Sequence, residues 1–131
     1  MHHVFYLDGN EEKISWVIQT SDSKVDQSRN HVSIYKNKVT DLQSKYVALH
    51  IGLFWGIGVF IIKNEDTVII KCDDEIMFNQ IISDSKIKDQ FIQKRMQFIR
   101  QFITQRRLKV KFELINIDEN LAKKNIQNKK D

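Results

Sequence analysis

The sequence predicts an α/β fold in which helices flank a central five-stranded mixed sheet. The first third of the chain alternates short apolar stretches with polar turns, a pattern typical of antiparallel strands. Two later segments with strand-like composition each follow a segment with helical periodicity. Strands separated by helices usually pair in parallel. The element order βββαβααβα therefore predicts three antiparallel strands followed by two helix-linked parallel strands.

The first three strands are predicted from short apolar runs. Residues 3–7 and 13–19 are apolar and are separated by the turn residues Asp8-Gly9-Asn10, which predicts a β-hairpin. Residues 20–30 have few apolar side chains and are predicted to form a loop. Residues 31–35 alternate polar with apolar side chains, so the third strand is predicted there.

The first helix is predicted from residue 40 onward because large apolar side chains recur at steps of three and four residues. Thr40 or Asp41 is placed to cap its start. Residues 46–62 carry no charged side chain, which leaves a membrane span as an alternative. The run is shorter than the roughly 20 residues that a bilayer requires, and it contains His50. These features favour a buried helix.

The second half of the chain is predicted to contain two strands and further helices. Residues 67–72 are rich in β-branched side chains and are predicted to form a buried strand. A short helix is expected to open at Asp73-Asp74, and a longer amphipathic helix is predicted over 86–107. Residues 108–116 alternate like a strand with one solvated face. A polar helix or tail follows from Asp118, with a polar tail from about residue 126.

Composition limits the class of protein. A length of 131 residues with 41% hydrophobic and 29% charged residues predicts one compact domain spanning 1–131 and excludes a wholly disordered chain. The net charge of +4 is compatible with an acidic partner such as nucleic acid. Cys72 is the only cysteine, which excludes an intrachain disulfide and a CxxC site. We therefore expect an intracellular, reducing compartment, with nuclear, cytoplasmic and mitochondrial locations left open.

Two motifs carry the strongest functional signal. Asp8-Gly9 ends the first predicted strand in the segment FYLDGN. The segment TDLQSKYVALHIGL, residues 40–53, begins the first helix. These segments resemble the first two of the four active-site segments of the ribonuclease H type 1 family. The second matches the family pattern T-N-N-x-A-E-Y-x-A-L-x-x-G-L at Thr40, Tyr46, Ala48, Leu49, Gly52 and Leu53.

Two later segments complete the resemblance. Residues 68–80 are similar to a family strand that ends in D-S-x-L-V-x-x-Q, with Asp73 at the metal-ligand position and Asp74 in place of the serine. Residues 117–124 are similar to R-E-x-N-x-x-A-D and keep the asparagine as Asn120. The resemblance spans most of the chain and implies the ribonuclease H-like fold. It also implies a site that cleaves the RNA strand of RNA–DNA hybrids with two Mg²⁺ ions.

Lysines stand at two of the four positions that the resemblance assigns to metal-binding carboxylates. Asp8 and Asp73 keep the first and third positions, whereas Lys45 replaces the glutamate and Lys124 the last aspartate. An ammonium group offers three donors and no acceptor, so it cannot bind a cation. We therefore expect no catalytic metal, with Asp8 and Asp73 as the only candidate ligands. Lys45 is predicted to pair with Asp8 and Asp73 instead.

An alternative restores the chemistry with other carboxylates. If Asp74, Glu75, Asp118 or Glu119 moved into the site, Mg²⁺ would again have an acidic cluster. Helix and strand geometry fix the directions in which side chains point, and this argues against such a relocation.

The most basic region lies between residues 86 and 111. Its candidates for contacts with a phosphate backbone are Lys94, Arg95, Arg100, Arg106 and Arg107. The alternative is the solvated face of an amphipathic helix.

Three functions remain open at this stage. We favour a catalytically inactive ribonuclease H-like domain that acts as a structural subunit of a larger complex of proteins. The second is an RNA- or DNA-binding module that keeps a substrate groove. The third is an active hybrid ribonuclease with relocated carboxylates.

Overall fold

The computed structural model describes residues 1–83 and 87–127. Five strands form one mixed sheet: β1 (His2–Gly9), β2 (Lys13–Thr20), β3 (Ser23–Asn30), β4 (Thr67–Cys72) and β5 (Lys109–Leu114). Helices flank it: α1 (Asp41–Gly58), α2 (Glu75–Ile82), α3 (Gln90–Arg106) and α4 (Leu121–Gln127), with a 3₁₀ turn (Ile117–Glu119) before α4. The predicted fold class is confirmed.

The sheet order is β3-β2-β1-β4-β5, and it brings the ends of two chemically important strands together. β1, β2 and β3 pair antiparallel, whereas β1, β4 and β5 run parallel. In the register of the parallel pair, Phe5 lies beside Ile70 and Tyr6 beside Lys71. The carboxyl ends of β1 and β4 therefore meet at one edge of the sheet, where Asp8 and Asp73 lie.

The two faces of the sheet are buried by different helices. Phe5 and Leu7 of β1 belong to the main core, which α1 and α3 cover. Tyr6 packs on the other face with Val17 and with Ala122 of α4. Side chains alternate between faces along a strand, so Asp8 shares the face of Tyr6 and points toward α4.

The prediction for the third strand was wrong. Residues 20–30 were predicted to be a loop, but β3 occupies 23–30, and residues 31–39 form turns. β3 is an edge strand whose side chains are mostly exposed, so it needs few apolar residues to pair. The turn that precedes it leaves only two residues between the paired Thr20 and Ser23, and Ser21 adopts a left-handed φ of 53°. Without a glycine or an asparagine, this turn has no clear sequence signal.

Caps set helix boundaries that periodicity did not resolve. Thr40 caps α1 by accepting a hydrogen bond from the backbone N–H of Gln43, whose side chain accepts one from the Thr40 N–H. α3 begins at Gln90 rather than at residue 86 because the Asp89 carboxylate accepts the N–H of Ile92. Position 86 itself lies outside the described residues.

Other limits are corrected by smaller amounts. β5 covers 109–114 rather than 108–116, and the polar C-terminal segment contains the helix α4. One face of the uncharged run packs inside the domain, where Tyr46, Leu49 and Leu53 are fully buried, whereas Phe54 and Phe60 are exposed. None of the helices in the described ranges is long and apolar enough to cross a membrane.

Candidate functional site

An ion pair joins the ends of β1 and α4. The Lys123 Nζ atom lies 3.0 Å from Oδ2 of Asp8 and 3.6 Å from Oδ2 of Asp73. Both aspartate side chains are 4% exposed, and the Lys123 side chain is 19% exposed. The ammonium group thus supplies the positive charge beside two buried carboxylates.

A second lysine approaches the same edge of the sheet from α1. The Lys45 Nζ atom donates a hydrogen bond of 3.0 Å to Oδ2 of Asp74, and both side chains are largely buried. The prediction that Lys45 pairs with Asp8 and Asp73 is therefore corrected, because its ion-pair partner is Asp74. We call Asp8, Lys45, Asp73, Asp74 and Lys123 the carboxylate–lysine cluster.

The electrostatics of Lys45 keep it charged. Burial alone would lower the pKa of its ammonium group, but the hydrogen bond and charge of Asp74, with the fields of Asp8 and Asp73, raise that pKa above its ordinary value. At neutral pH the side chain is therefore a fixed cation beside the two aspartates. A free metal ion would meet this positive charge as well as that of Lys123.

The lysine of α4 that reaches the site is Lys123, not Lys124. Lys124 was predicted at the position of the last aspartate, yet its side chain is exposed on the helix. Consecutive residues on a helix point about 100° apart, so a shift of one residue exchanges a buried direction for an exposed one. The predicted role of Lys124 at the site is therefore corrected to Lys123.

Asn120 fixes the rotational orientation of α4 against the sheet. Its side-chain Nδ2 donates to the Leu7 carbonyl at 2.9 Å and to Oδ2 of Asp73 at 3.1 Å. Its Oδ1 accepts the N–H of Ala122 at 3.0 Å, which holds the first turn of α4. Asn120 therefore links β1, the end of β4 and α4, and it directs Lys123 toward Asp8. The sequence comparison had singled out Asn120 without assigning it this role.

Asp8 is only partly satisfied. Its Oδ2 accepts from Lys123, but its buried Oδ1 has no hydrogen-bond partner among the described residues. Burial raises the pKa of the Asp8 carboxyl above its ordinary value, although the hydrogen bond and charge of Lys123 oppose this shift. Burial of the ionised Asp8 carboxylate therefore lowers the stability of the fold, and the ion pair with Lys123 offsets part of this cost.

The donors present do not fit a pair of magnesium ions. Mg²⁺ requires oxygen ligands in octahedral geometry, and each two-metal site needs several carboxylates. In the ranges that the structure describes, no three acidic, histidine or cysteine side chains form a group that could hold a metal. Lys123 lies against Asp8 and Asp73, where its positive charge would oppose the binding of a cation.

The acidic residues considered for relocation are either engaged in other contacts or exposed at the surface. Asp74 caps α2 by accepting the N–H of Met77, and its other oxygen accepts from Lys45. Glu119 accepts the N–H of Asn116. Glu75 and Asp118 are exposed and line a shallow surface cleft with Asp73. Among the described residues, these side chains do not form a group of three that could hold a metal ion.

Comparison with solved structures identifies the architecture. Ribonuclease H1 of Halobacterium salinarum superposes with a TM-score of 0.76 at 15% identity, over 98% of this chain and 100% of that one. The chain has the ribonuclease H fold. No family model and no curated protein sequence matches it.

Two further structures agree with the ribonuclease H fold. The N-terminal ribonuclease H domain of a Mycobacterium tuberculosis protein, solved as a fusion with maltose-binding protein, gives a TM-score of 0.70 at 16% identity. The match covers 93% of this chain and 92% of that one. LC11 ribonuclease H1, isolated from compost and solved with an RNA/DNA hybrid, gives 0.65 at 18% identity. It covers 93% of this chain and 91% of its own.

Of the five predicted phosphate-contacting residues, two form contacts within the domain and three are exposed. Arg95 is held inside the ribonuclease H fold, where its guanidinium group lies 4.9 Å from the Phe91 ring centre and donates to the Tyr35 hydroxyl and to His50 Nδ1. Arg107 forms an exposed ion pair of 2.9 Å with Glu65. Lys94, Arg100 and Arg106 are exposed and remain available for contact.

His50 takes a structural role. It stacks on Phe98 with ring centres 5.2 Å apart and accepts the Arg95 hydrogen bond at Nδ1. Burial, with the charge of Arg95, lowers the pKa of His50 to about 4, so the ring is neutral at neutral pH. This neutral state agrees with its role as acceptor.

One buried polar group had no predicted role. His3 is 1% exposed, and its ring nitrogens lie 2.6 Å from the Thr20 hydroxyl and 2.7 Å from Oδ2 of Asp66. Although burial opposes it, hydrogen bonds from His3 and from the Lys63 backbone hold the pKa of Asp66 at about 2. The separations in sequence are too long for local patterns to indicate these contacts.

Proposed function

We propose that this chain is a catalytically inactive ribonuclease H-like domain that acts as an interaction subunit of a larger assembly. The observation that carries this proposal is the position of Lys123, whose ammonium group contacts the two carboxylates retained from the family pattern. A divalent cation would need to displace this group. It would then bind beside Lys45 with too few acidic ligands.

The role as a subunit rests on exposed apolar side chains. Large apolar residues are exposed beside the carboxyl ends of β4 and β5, including Ile76, Leu114 and Ile117. Exposed apolar surface is typical of sites that contact other molecules. A domain that retains the fold without the chemistry would use such surfaces to hold partners.

A second candidate is a nucleic-acid-binding module. The exposed side chains Lys94, Arg100 and Arg106 on α3 favour it, since cations presented along one helix attract a phosphate backbone. The LC11 ribonuclease H1 structure contains an RNA/DNA hybrid, which makes a hybrid the first ligand to test. Neither candidate function includes cleavage of nucleic acid.

Cleavage of an RNA–DNA hybrid is the test that separates these proposals from an active nuclease. With Mg²⁺ or Mn²⁺ present, we expect no product above the protein-free background, because the site has neither the charge nor the ligands for two-metal hydrolysis. The measurement is gel analysis of an end-labelled hybrid, with an active ribonuclease H1 as positive control. Metal-dependent product that disappears in Asp73→Asn would overturn the proposal.

A further inference from the structure

An apolar groove of about 720 Å³ lies at the end of the sheet opposite to the carboxylate–lysine cluster. It is formed by the last turns of α1 and α3 and by the segment that leads into β4. β4 begins at this end, and Asp73 follows its other end. Since a strand of this length spans about 20 Å, the groove is separate from the cluster.

Three phenylalanine rings form the apolar part of the groove. Phe54 and Phe60 are 60% and 77% exposed, respectively, which is unusual for such large apolar side chains. Phe54 stacks on Phe102 with ring centres 5.7 Å apart and planes inclined by 29°. Aromatic surface is thus presented to solvent by two different elements.

The polar part of the groove is cationic and amide-bearing. Lys63 and Asn64 lie on one side, and Gln105 and Arg106 on the other, all four exposed. No carboxylate is found among the described residues that line the groove. Glu65, next to Asn64 in sequence, is neutralised by its ion pair with Arg107.

The backbone at Phe60 is strained. Its φ is 66°, in the left-handed region that a bulky residue rarely adopts. A glycine or an asparagine would fit this position with less strain. This conformation ends α1, because the N–H groups of Ile61 and Ile62 both donate to the Gly56 carbonyl. Helix termination does not require an exposed aromatic ring at this position, so the ring of Phe60 has no packing role in the domain that accounts for it.

We infer that this groove binds single-stranded nucleic acid, with bases stacked on the Phe54 and Phe60 rings and phosphates held by Lys63 and Arg106. Exposed aromatic rings flanked by cations are the combination that single-strand binders use, because every base has a stacking face and every linkage a negative charge. The amides of Asn64 and Gln105 can donate to and accept from base edges.

Charge decides between this ligand and an apolar protein segment. An apolar protein segment would use the rings alone, whereas the cations and the absence of carboxylates in the described lining favour a polyanion with flat apolar groups. A duplex would fit poorly because its bases are already stacked on one another. The groove therefore distinguishes single strands from duplexes, and it does so independently of the state of the carboxylate–lysine cluster.

Fluorescence anisotropy of a short labelled oligothymidylate tests the inference on the full chain. We expect Phe60→Asn to weaken binding by about tenfold or more, since loss of one stacking ring commonly has that effect. This variant relieves the strained φ, so it should fold at least as well as the parent chain. Ile34→Asn is the matched control, because Ile34 is 69% exposed and lies outside the groove lining.

The cations are tested through the salt dependence of the same isotherm. Each phosphate contact to a single strand contributes about 0.7 to the slope of log affinity against log salt, so Lys63→Gln with Arg106→Gln should reduce the slope by about 1.4. Lys24→Gln with Lys38→Gln, two exposed lysines outside the lining, should leave it unchanged. Absence of binding, equal affinity for a duplex, or equal losses in groove and control variants would each overturn the inference. The inference would also be overturned if Phe60→Asn abolished self-association of the chain and left oligonucleotide binding unchanged.

Discussion

Replacing Lys123 with methionine is expected to lower the free energy of unfolding by about 3–5 kcal/mol at neutral pH, because removal of one partner from a buried ion pair leaves an uncompensated charge. Here two carboxylates lose their shared cation, and each of them is 4% exposed. Methionine keeps much of the length and apolar contact of the lysine side chain. The loss therefore reports mainly on charge, and urea denaturation measures it.

The size of this loss should depend on pH. Burial raises the pKa of Asp8 in the folded state above the ordinary value of 3.8, so the folded chain binds a proton at a pH where the unfolded chain does not. Protonation of Asp8 thus favours folding as the pH falls toward 3.8. Loss of Lys123 should raise the pKa of Asp8 further, so protonation of Asp8 should stabilise Lys123→Met more than the parent chain. The difference in stability between the two chains should therefore shrink in mildly acidic buffer.

Lys124→Met is the matched control. Lys124 is the adjacent residue on α4 and is exposed, so its replacement should change the free energy of unfolding by no more than about 0.5 kcal/mol. If the two variants lost equal stability, or if Lys124→Met lost more, the assignment of Lys123 to the carboxylate–lysine cluster would be wrong.

Gly9→Ala is expected to destabilise the chain by about 3 kcal/mol, since it introduces a methyl group where no space exists. An added Cβ atom would lie 2.4 Å from the Ser44 Oγ atom and 2.8 Å from the Ser44 backbone carbon. Ser44 is fully buried in α1 and hydrogen-bonded to His31, so relief requires a shift of the helix itself. Thermal unfolding of the variant measures this effect.

Gly58→Ala provides the comparison for Gly9→Ala. An added Cβ atom at Gly58 would meet nothing within 4 Å, and Gly58 ends the same helix. Its stability should be unchanged or raised by a few tenths of a kcal/mol, because alanine has the higher helix propensity. A Gly9→Ala chain as stable as Gly58→Ala would show that β1 and α1 do not approach each other this closely.

The glycine after Asp8 also explains part of the sequence motif. Lys45 follows Ser44 directly, so the close approach of Gly9 to Ser44 fixes the distance between Asp8 and Lys45. The motifs thus predicted that Asp8, Lys45 and Asp73 lie near this edge of the sheet, but they placed Lys124 there instead of Lys123. They did not predict which charges pair, because Asp74 and Asp73 are adjacent in sequence and only the α2 cap determines which of them faces Lys45.

The errors of sequence-based prediction have physical causes. β3 was missed because an edge strand is stabilised by backbone pairing with β2 and needs no apolar pattern. Lys123 was missed because the phase of α4 depends on the contacts of Asn120 with Leu7 and Asp73, which are remote in sequence. The order of helices and strands along the chain was accessible because it follows from local periodicity. The position of Lys45 in α1 was accessible because the motif matches on both sides of it.

Manganese binding, followed by electron paramagnetic resonance at neutral pH, tests most directly the proposal that the carboxylate–lysine cluster does not bind divalent metal. We predict that the signal of free Mn²⁺ is unchanged by the parent chain. The double variant Lys45→Glu with Lys123→Asp, in which each exchange shifts the local charge by two units, should reduce the free signal. Stoichiometric Mn²⁺ binding by the parent chain that is abolished by Asp73→Asn would contradict the account.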